Sequence, residues 1–239
     1  MLSWNDVLHE GLLAFDPDES RPLRARFLAQ CGWGAEAAIL DGLERRDRAL
    51  AEARHVVLWF EHDLFDQLQL LQILSQVNGQ LVELVQADEH LGPLDVAAFE
   101  RLWETRNQVA TETLALAREA WRNVCDGEIE TVLRQDTSAM PYLEPALQRL
   151  LEERSPLSRT KRQLLAALAQ GPSRPPQLFV ANQQAEDAVF LGDTWCFRQL
   201  HELAQEGLVT ELPGPPPSGD YAAFVATPVE LTPAGRAVL

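Results

Sequence analysis

LWFEHDLFDQ, residues 58–67, is where two periodicities meet. Upstream, His55–Phe60 (HVVLWF) is an unbroken apolar run of strand length, the pattern of a strand covered on both faces. Downstream, Leu64–Val77 carries apolar residues at helical spacing, and Leu81–Val85 is apolar and β-branched again. Strand, helix and strand with short connections form a parallel unit. The expected class is therefore α/β, with a small parallel-sheet, Rossmann-like N-terminal domain over residues 1–92.

Outward from this unit, Leu2–Trp4 is a short apolar stub. Ser20 is placed to cap a helix with Pro22 in its first turn and Leu23, Phe27, Leu28 and Cys31 on one face, ahead of Gly32 and Gly34. A charged helix is expected over Ala35–Ala53. From Asp95 the spacing is helical throughout, over Val96–Trp103, Val109–Cys125, Ile129–Leu133 and Pro145–Leu151. These make residues 93–154 a helical connecting region.

The remainder, 155–239, has the element order of a winged helix. Ser158 caps RTKRQLLAALAQ, a second helix covers roughly Gln177–Phe190, and Asp193 caps TWCFRQLHELAQEG. LVTEL and FVATPVEL then read as a hairpin around the loop PGPPPSGD, residues 213–220, and Thr232-Pro233 opens a last turn.

Acids outnumber bases 36 to 20, a formal net charge of −16. Such a field repels nucleic acid and anionic lipid and favours cations or basic partners. Residues 1–154 carry 28 acids and 14 bases against 8 and 6 in 155–239, so the C-terminal part is nearly neutral. No apolar run is long enough to span a bilayer, and no signal peptide opens the sequence, so no membrane partner and a cytoplasmic location are the expectations. Cys31, Cys125 and Cys196 are far apart and odd in number, which reads as buried thiols rather than a disulfide or zinc framework.

Two stretches concentrate groups able to do chemistry. NDVLHEG holds Asp6, His9 and Glu10; FEHDLFDQ holds Glu61, His62, Asp63 and Asp66. Both follow a proposed parallel strand, and ligands of open α/β sheets bind at the carboxyl ends of strands. The expectation is one shared opening. There His9, His62 and Asp66 are the candidate catalytic acid–base groups. Asp6, Glu10, Glu61 and Asp63 are the ligand-binding carboxylates, with Asp6 and Asp63 the candidate ligands of a divalent metal. No HExxH-type spacing fixes a metal, and no P-loop, nucleophile elbow or dinucleotide fingerprint is present. Capping competes with this reading. Asp63 stands at an N-cap, Asp66 at the second position of a capping box, and Asp66, Gln69, Gln72 and Gln76 would be the helix's solvated side. His90 and His201 read as exposed or satisfied singletons, and Trp4 and Trp59 as core or pocket wall.

SWNDVLHEG, LWFEHDLFDQLQLLQIL, SRTKRQLL, EDAVFLGDTW and LTPAGRAVL together resemble an uncharacterised bacterial family, domain of unknown function eighteen thirty-five. The resemblance covers most of the chain. It implies an α/β N-terminal domain and a helical C-terminal region, and no activity. Similar proteins begin with a further strand and an Asn-Gly-Asp-Ser-like loop ahead of the NDVLHEG region, and they continue past the position of Leu239. The functional expectation is a ligand-binding or metal-assisted catalytic α/β domain taking a small molecule or cation. The alternative is a non-enzymatic regulator that meets a protein partner through its winged helix. The candidate recognition helix, Asp193–Gln205, sets Arg198 and His201 against Asp193 and Glu202, and the PGPPPSGD loop carries no base, so tight DNA binding is not expected.

Overall fold

A computed structural model describes residues 2–239. The chain divides into two compact units. One comprises the residues up to Gln30 together with Gly34–Leu150; the other comprises Cys31–Trp33 with Leu151–Leu239. The fold is mixed α/β and mostly helical, 54% of the chain, with one three-stranded sheet. The helices between Val96 and Leu150 belong to the same unit as the sheet.

The first unit runs α1 (Pro17–Gln30), α2 (Glu36–Glu52), β1 (His55–Glu61), α3 (Leu64–Gln76), β2 (Leu81–Ala87), α4 (Val96–Glu104), β3 (Asn107–Gln108), α5 (Thr111–Asp126), α6 (Ile129–Leu133) and the start of α7 (Leu143–Glu153). The expected parallel pair is present, with β1 and β2 in register from His55↔Leu81 to Glu61↔Ala87 and α3 as the crossover. β3 was not anticipated. Its two polar residues carry no strand signal; they pair antiparallel with Glu83 and Leu84, and the Val109 amide adds a bond to the Val82 carbonyl at 2.9 Å. The sheet order β1-β2-β3 leaves β1 at an edge.

α3 is the pillar of this unit. Leu64, Leu68, Leu70, Leu71, Ile73 and Leu74 are all at most 2% exposed. The helix packs on β1 and on α5, whose Ala117 and Ala120 give the two helices room for close approach. The side expected to be solvated is buried as well: Gln69 and Gln72 are each 2% exposed. They serve the irregular N-terminal segment. Gln72 Oε1 accepts from the Trp4 indole at 2.7 Å, and Gln69 donates to the Asp6 carbonyl at 3.3 Å. A buried amide is retained where it satisfies a backbone that has no ladder of its own.

α1 begins earlier than expected. Asp16 accepts from the Asp18 amide at 2.7 Å, while Ser20 lies inside the helix and is buried. Arg24, one turn beyond Ser20, reaches into the N-terminal segment and bonds the carbonyls of Val7, Glu10 and Leu12.

In the second unit, Ser158 caps α8 (Arg159–Leu168) as expected, accepting from the Lys161 amide at 3.1 Å, and also donates to the buried Gln199 at 2.8 Å. α9 (Pro175–Gln184) starts on its proline pair and stops short of Phe190. α10 (Asp193–Gln205) is capped at Gly192, with Asp193 already in its first turn. The expected hairpin is reduced to one isolated bridge, Val209↔Leu231, and a second bridge joins Val229 to Ser173 ahead of α9. Part of FVATPVEL is helix instead. Asp220 accepts from the Ala223 amide at 3.1 Å and starts α11 (Tyr221–Ala226), which buries Phe224 against Phe197 at 5.3 Å between ring centroids. α12 (Pro233–Ala237) closes the chain on a Thr232 cap.

Among the described residues the cysteines form no disulfide, and Cys196 is fully buried on α10. Burial, with Asp193 and Glu153 nearby, pushes its thiol up to about 12. A thiol held that high presents almost no thiolate. Cys196 should therefore resist maleimide at pH 8 in the native protein and react on unfolding; labelling at the native rate of a free thiol would contradict its placement.

Candidate functional site

The two clusters have different fates. Asp6 is 2% exposed and belongs to the frame. Arg24 of α1 meets both of its carboxylate oxygens, Nε at 3.1 Å to each and Nη2 at 2.7 Å to Oδ1. The same guanidinium donates to the carbonyls of Val7 (2.8 Å), Glu10 (2.7 Å) and Leu12 (3.2 Å). A carboxylate neutralised by a buried guanidinium is not free for a cation. His9 is buried, its ring edge against Phe65 at 6.2 Å between centroids. Glu10 is half-buried, and its amide closes a turn onto the Val7 carbonyl at 3.0 Å. Asp6, expected as a metal ligand, is thus held by Arg24. Among the described residues no group of three or more His, Cys, Asp or Glu side chains is arranged to hold a metal ion.

The second cluster sits at the carboxyl end of β1. Asp63 is the N-cap of α3, its Oδ1 accepting from the Asp66 amide at 3.0 Å. Asp66 does not return this to the Asp63 amide as a capping box would. Its Oδ2 reaches to the Glu61 amide at 2.5 Å, and Gln67 donates to the Glu61 carbonyl at 2.7 Å. The last backbone groups of β1 are therefore satisfied by the first turn of α3. The Glu61 carboxylate turns the other way, to the Leu91 amide at 2.9 Å and His90 Nδ1 at 2.8 Å. His62 packs its ring edge on Tyr142 at 5.8 Å between centroids, and its buried Nδ1 has no hydrogen-bond partner among the described residues.

Three acids within six residues are costly to charge together. Burial, then the charge of Asp66, pushes Asp63 up to about 7, against the lowering effect of the Asp66 amide. Burial likewise pushes Asp66 up to about 6, with the Glu61 charge adding to it and His90 opposing. The bond to Glu61 raises His90 above its ordinary value. His90, read from sequence as a singleton, is thus part of the cluster. The signal was its place just beyond β2, the parallel neighbour of β1, since adjacent parallel strands end side by side.

One opening beside the second cluster is defined by the strand itself. A groove of about 610 Å³ runs along β1. Its walls include Val56–Phe60, Phe65, Asp66, Gln69 and Ile73, together with Leu2–Asn5, Leu91 and Phe99. Of the expected site residues only Asp66 lines it, and Asp66 is the single ionisable side chain among its described walls. Trp59 is indeed a wall. Its ring lies 5.7 Å from Phe99 and 6.1 Å from Trp103, extending the groove into an aromatic shelf on α4.

Fold and site together define a mixed α/β protein whose sheet ends beside a carboxyl cluster. No family model, curated protein or solved structure matches the chain. No helix among the described residues is long and apolar enough to cross a membrane.

Proposed function

We propose that the first unit is a ligand-binding domain whose site is the groove along β1, and that its ligand joins an apolar body to a cationic group held by Asp66. The carrying observation is the lining: apolar and aromatic walls with one half-buried carboxyl at the strand's carboxyl end, the composition expected of a pocket that orients a ligand through a single polar contact. His62 and Asp63, beside this end, are the groups that would move a proton if the ligand is also turned over. The resemblance to domain of unknown function eighteen thirty-five belongs to this proposal and supports its α/β plan without adding an activity.

Phenethylamine and phenethyl alcohol separate the two contributions. Calorimetric titration at pH 8 should show the amine binding more tightly than the alcohol, with the difference lost in Asp66→Asn. As pH falls through about 6, Asp66 takes a proton and the amine's advantage fades. Equal binding of amine and alcohol to the parent protein would overturn the reading.

For the second unit we infer a winged-helix-like domain that contacts protein rather than DNA. Its helix order and two bridges support the first half. Three of its bases support the second, because they are already paired: Arg159 with Glu152 at 3.0 Å, Lys161 with Glu206 at 2.7 Å and Glu202 at 3.2 Å, and Arg198 with Glu202 at 3.5 Å. Cations held by carboxylates displace fewer counterions from a duplex. A mobility-shift assay near physiological salt should show no sub-micromolar complex; one that weakens steeply with salt and vanishes in Arg198→Ala would reverse the inference.

A further inference from the structure

The groove reading leaves its ligand class open, and the backbone of β1 narrows it. Five consecutive residues, Val56–Phe60, line the groove. Successive side chains of a strand point to opposite faces, so five in a row border one cavity only when it runs along the strand's edge. β1 is that edge, with β2 its one partner in the sheet.

The outward groups can be assigned. The Arg54 carbonyl accepts from the Leu81 amide at 2.9 Å, so it points toward β2. Backbone groups alternate sides along a strand, which turns the N–H and C=O of Val57, Trp59 and Glu61 away from β2. Those of Glu61 are taken by Asp66 and Gln67. Those of Val57 and Trp59 have no outward partner among the described residues. An unpaired edge is a template for another strand, and strand addition is a recurrent mode of peptide recognition.

We propose, on the basis of the groove reading, that the site takes an extended peptide segment of a partner chain, added antiparallel to β1, with its free α-amino group at Asp66. Charge sets the direction. β1 runs toward Glu61, Asp63 and Asp66, so an antiparallel strand brings its N-terminus to the acidic end. A parallel one would bring its carboxyl end there. The backbone sets the register. The third residue of the peptide pairs with Trp59 and the fifth with Val57. The first arrives level with Glu61, where no backbone group is left and the carboxylate of Asp66 replaces the ladder. The walls set the composition. Trp59 projects to the side of Phe99 and Trp103, while Leu58 and Phe60 project to the other, so small uncharged side chains fit on both faces. The net charge of −16 steers a cationic end inward.

The test is calorimetric titration of the full chain with a seven-residue Val-Thr repeat peptide, amidated at its C-terminus. The free-amine form should bind. N-acetylation should weaken binding by about tenfold or more, the loss expected for one charge contact worth ~1.4 kcal/mol. N-methylation at the third and fifth residues should abolish binding, while N-methylation at the second and fourth should be tolerated. These comparisons change only the peptide, so none depends on a variant folding. No binding by the free-amine peptide, indifference to acetylation, or equal effects of the two methylation patterns would each overturn the proposal. Phenethylamine run in parallel separates the two readings: if it binds and the peptide does not, the strand is wrong and the groove stands; if neither binds, both fall.

Discussion

Arg24→Ala should unfold the first unit or lower its stability by on the order of 3–5 kcal/mol, the loss seen when one partner of a buried ion pair is removed. It strands the Asp6 carboxylate, 2% exposed, and also the carbonyls of Val7, Glu10 and Leu12. Asp6→Ala should cost less, because the guanidinium keeps its three carbonyl partners. Arg24→Lys should rescue little, since an ammonium has no planar fork to meet a carboxylate and three carbonyls at once. Against a typical domain stability of roughly 5–15 kcal/mol, the difference is plain in urea unfolding followed by circular dichroism. If Arg24→Ala melts at the parent's midpoint, Asp6 is not a framework residue and returns to the list of ligand-binding groups.

Asp63→Asn should make the protein more stable at pH 8. Folding raises the Asp63 carboxyl from an unfolded value of about 3.9 to about 7, chiefly by burial. Between those values the folded state holds a proton that the unfolded state has lost. The stabilisation from this difference is complete below about pH 4 and is lost as pH climbs through 7. Asn keeps the cap acceptor and has no charge to bury. Its advantage should be near zero at pH 4 and on the order of 2–4 kcal/mol at pH 8. Asp66, raised in the same direction to about 6, gives the parent a parallel loss over a slightly lower range. Thermal melts of parent and variant at the two pH values decide the matter. A variant no more stable than the parent at pH 8 would show that Asp63 is easily charged in place.

The parallel unit was legible because local signals agreed. His55–Phe60 and Leu64–Val77 differ in period, and Asp63 marks their junction as a cap, which it is. β3 was illegible because Asn107 and Gln108 pair through backbone alone. The buried side of α3 misled for a related reason: Gln69 and Gln72 look solvent-facing until Trp4 and Asp6, more than sixty residues away, are known to need them. The site divides the same way. Asp66 and the acids around it announce themselves within six residues. Arg24 and His90 act on partners 18 and 29 residues distant, and nothing local to either marks it. In the C-terminal part, Asp220 and Phe224 turned an expected strand into α11 through one cap and one ring contact.

Residues 2–12 form no helix or strand, and are held by Arg24 from α1 and by Gln69 and Gln72 from α3. Donors on a helix converge only after the helix exists. The segment therefore leaves the ribosome before the groups that fix it have been made, and it cannot settle until α3 has formed and docked. Synthesis order and ordering of the chain run in opposite directions here. In a hydrogen-exchange experiment the amides of α3 should gain protection early in refolding, and those of Val7–Glu10 should follow.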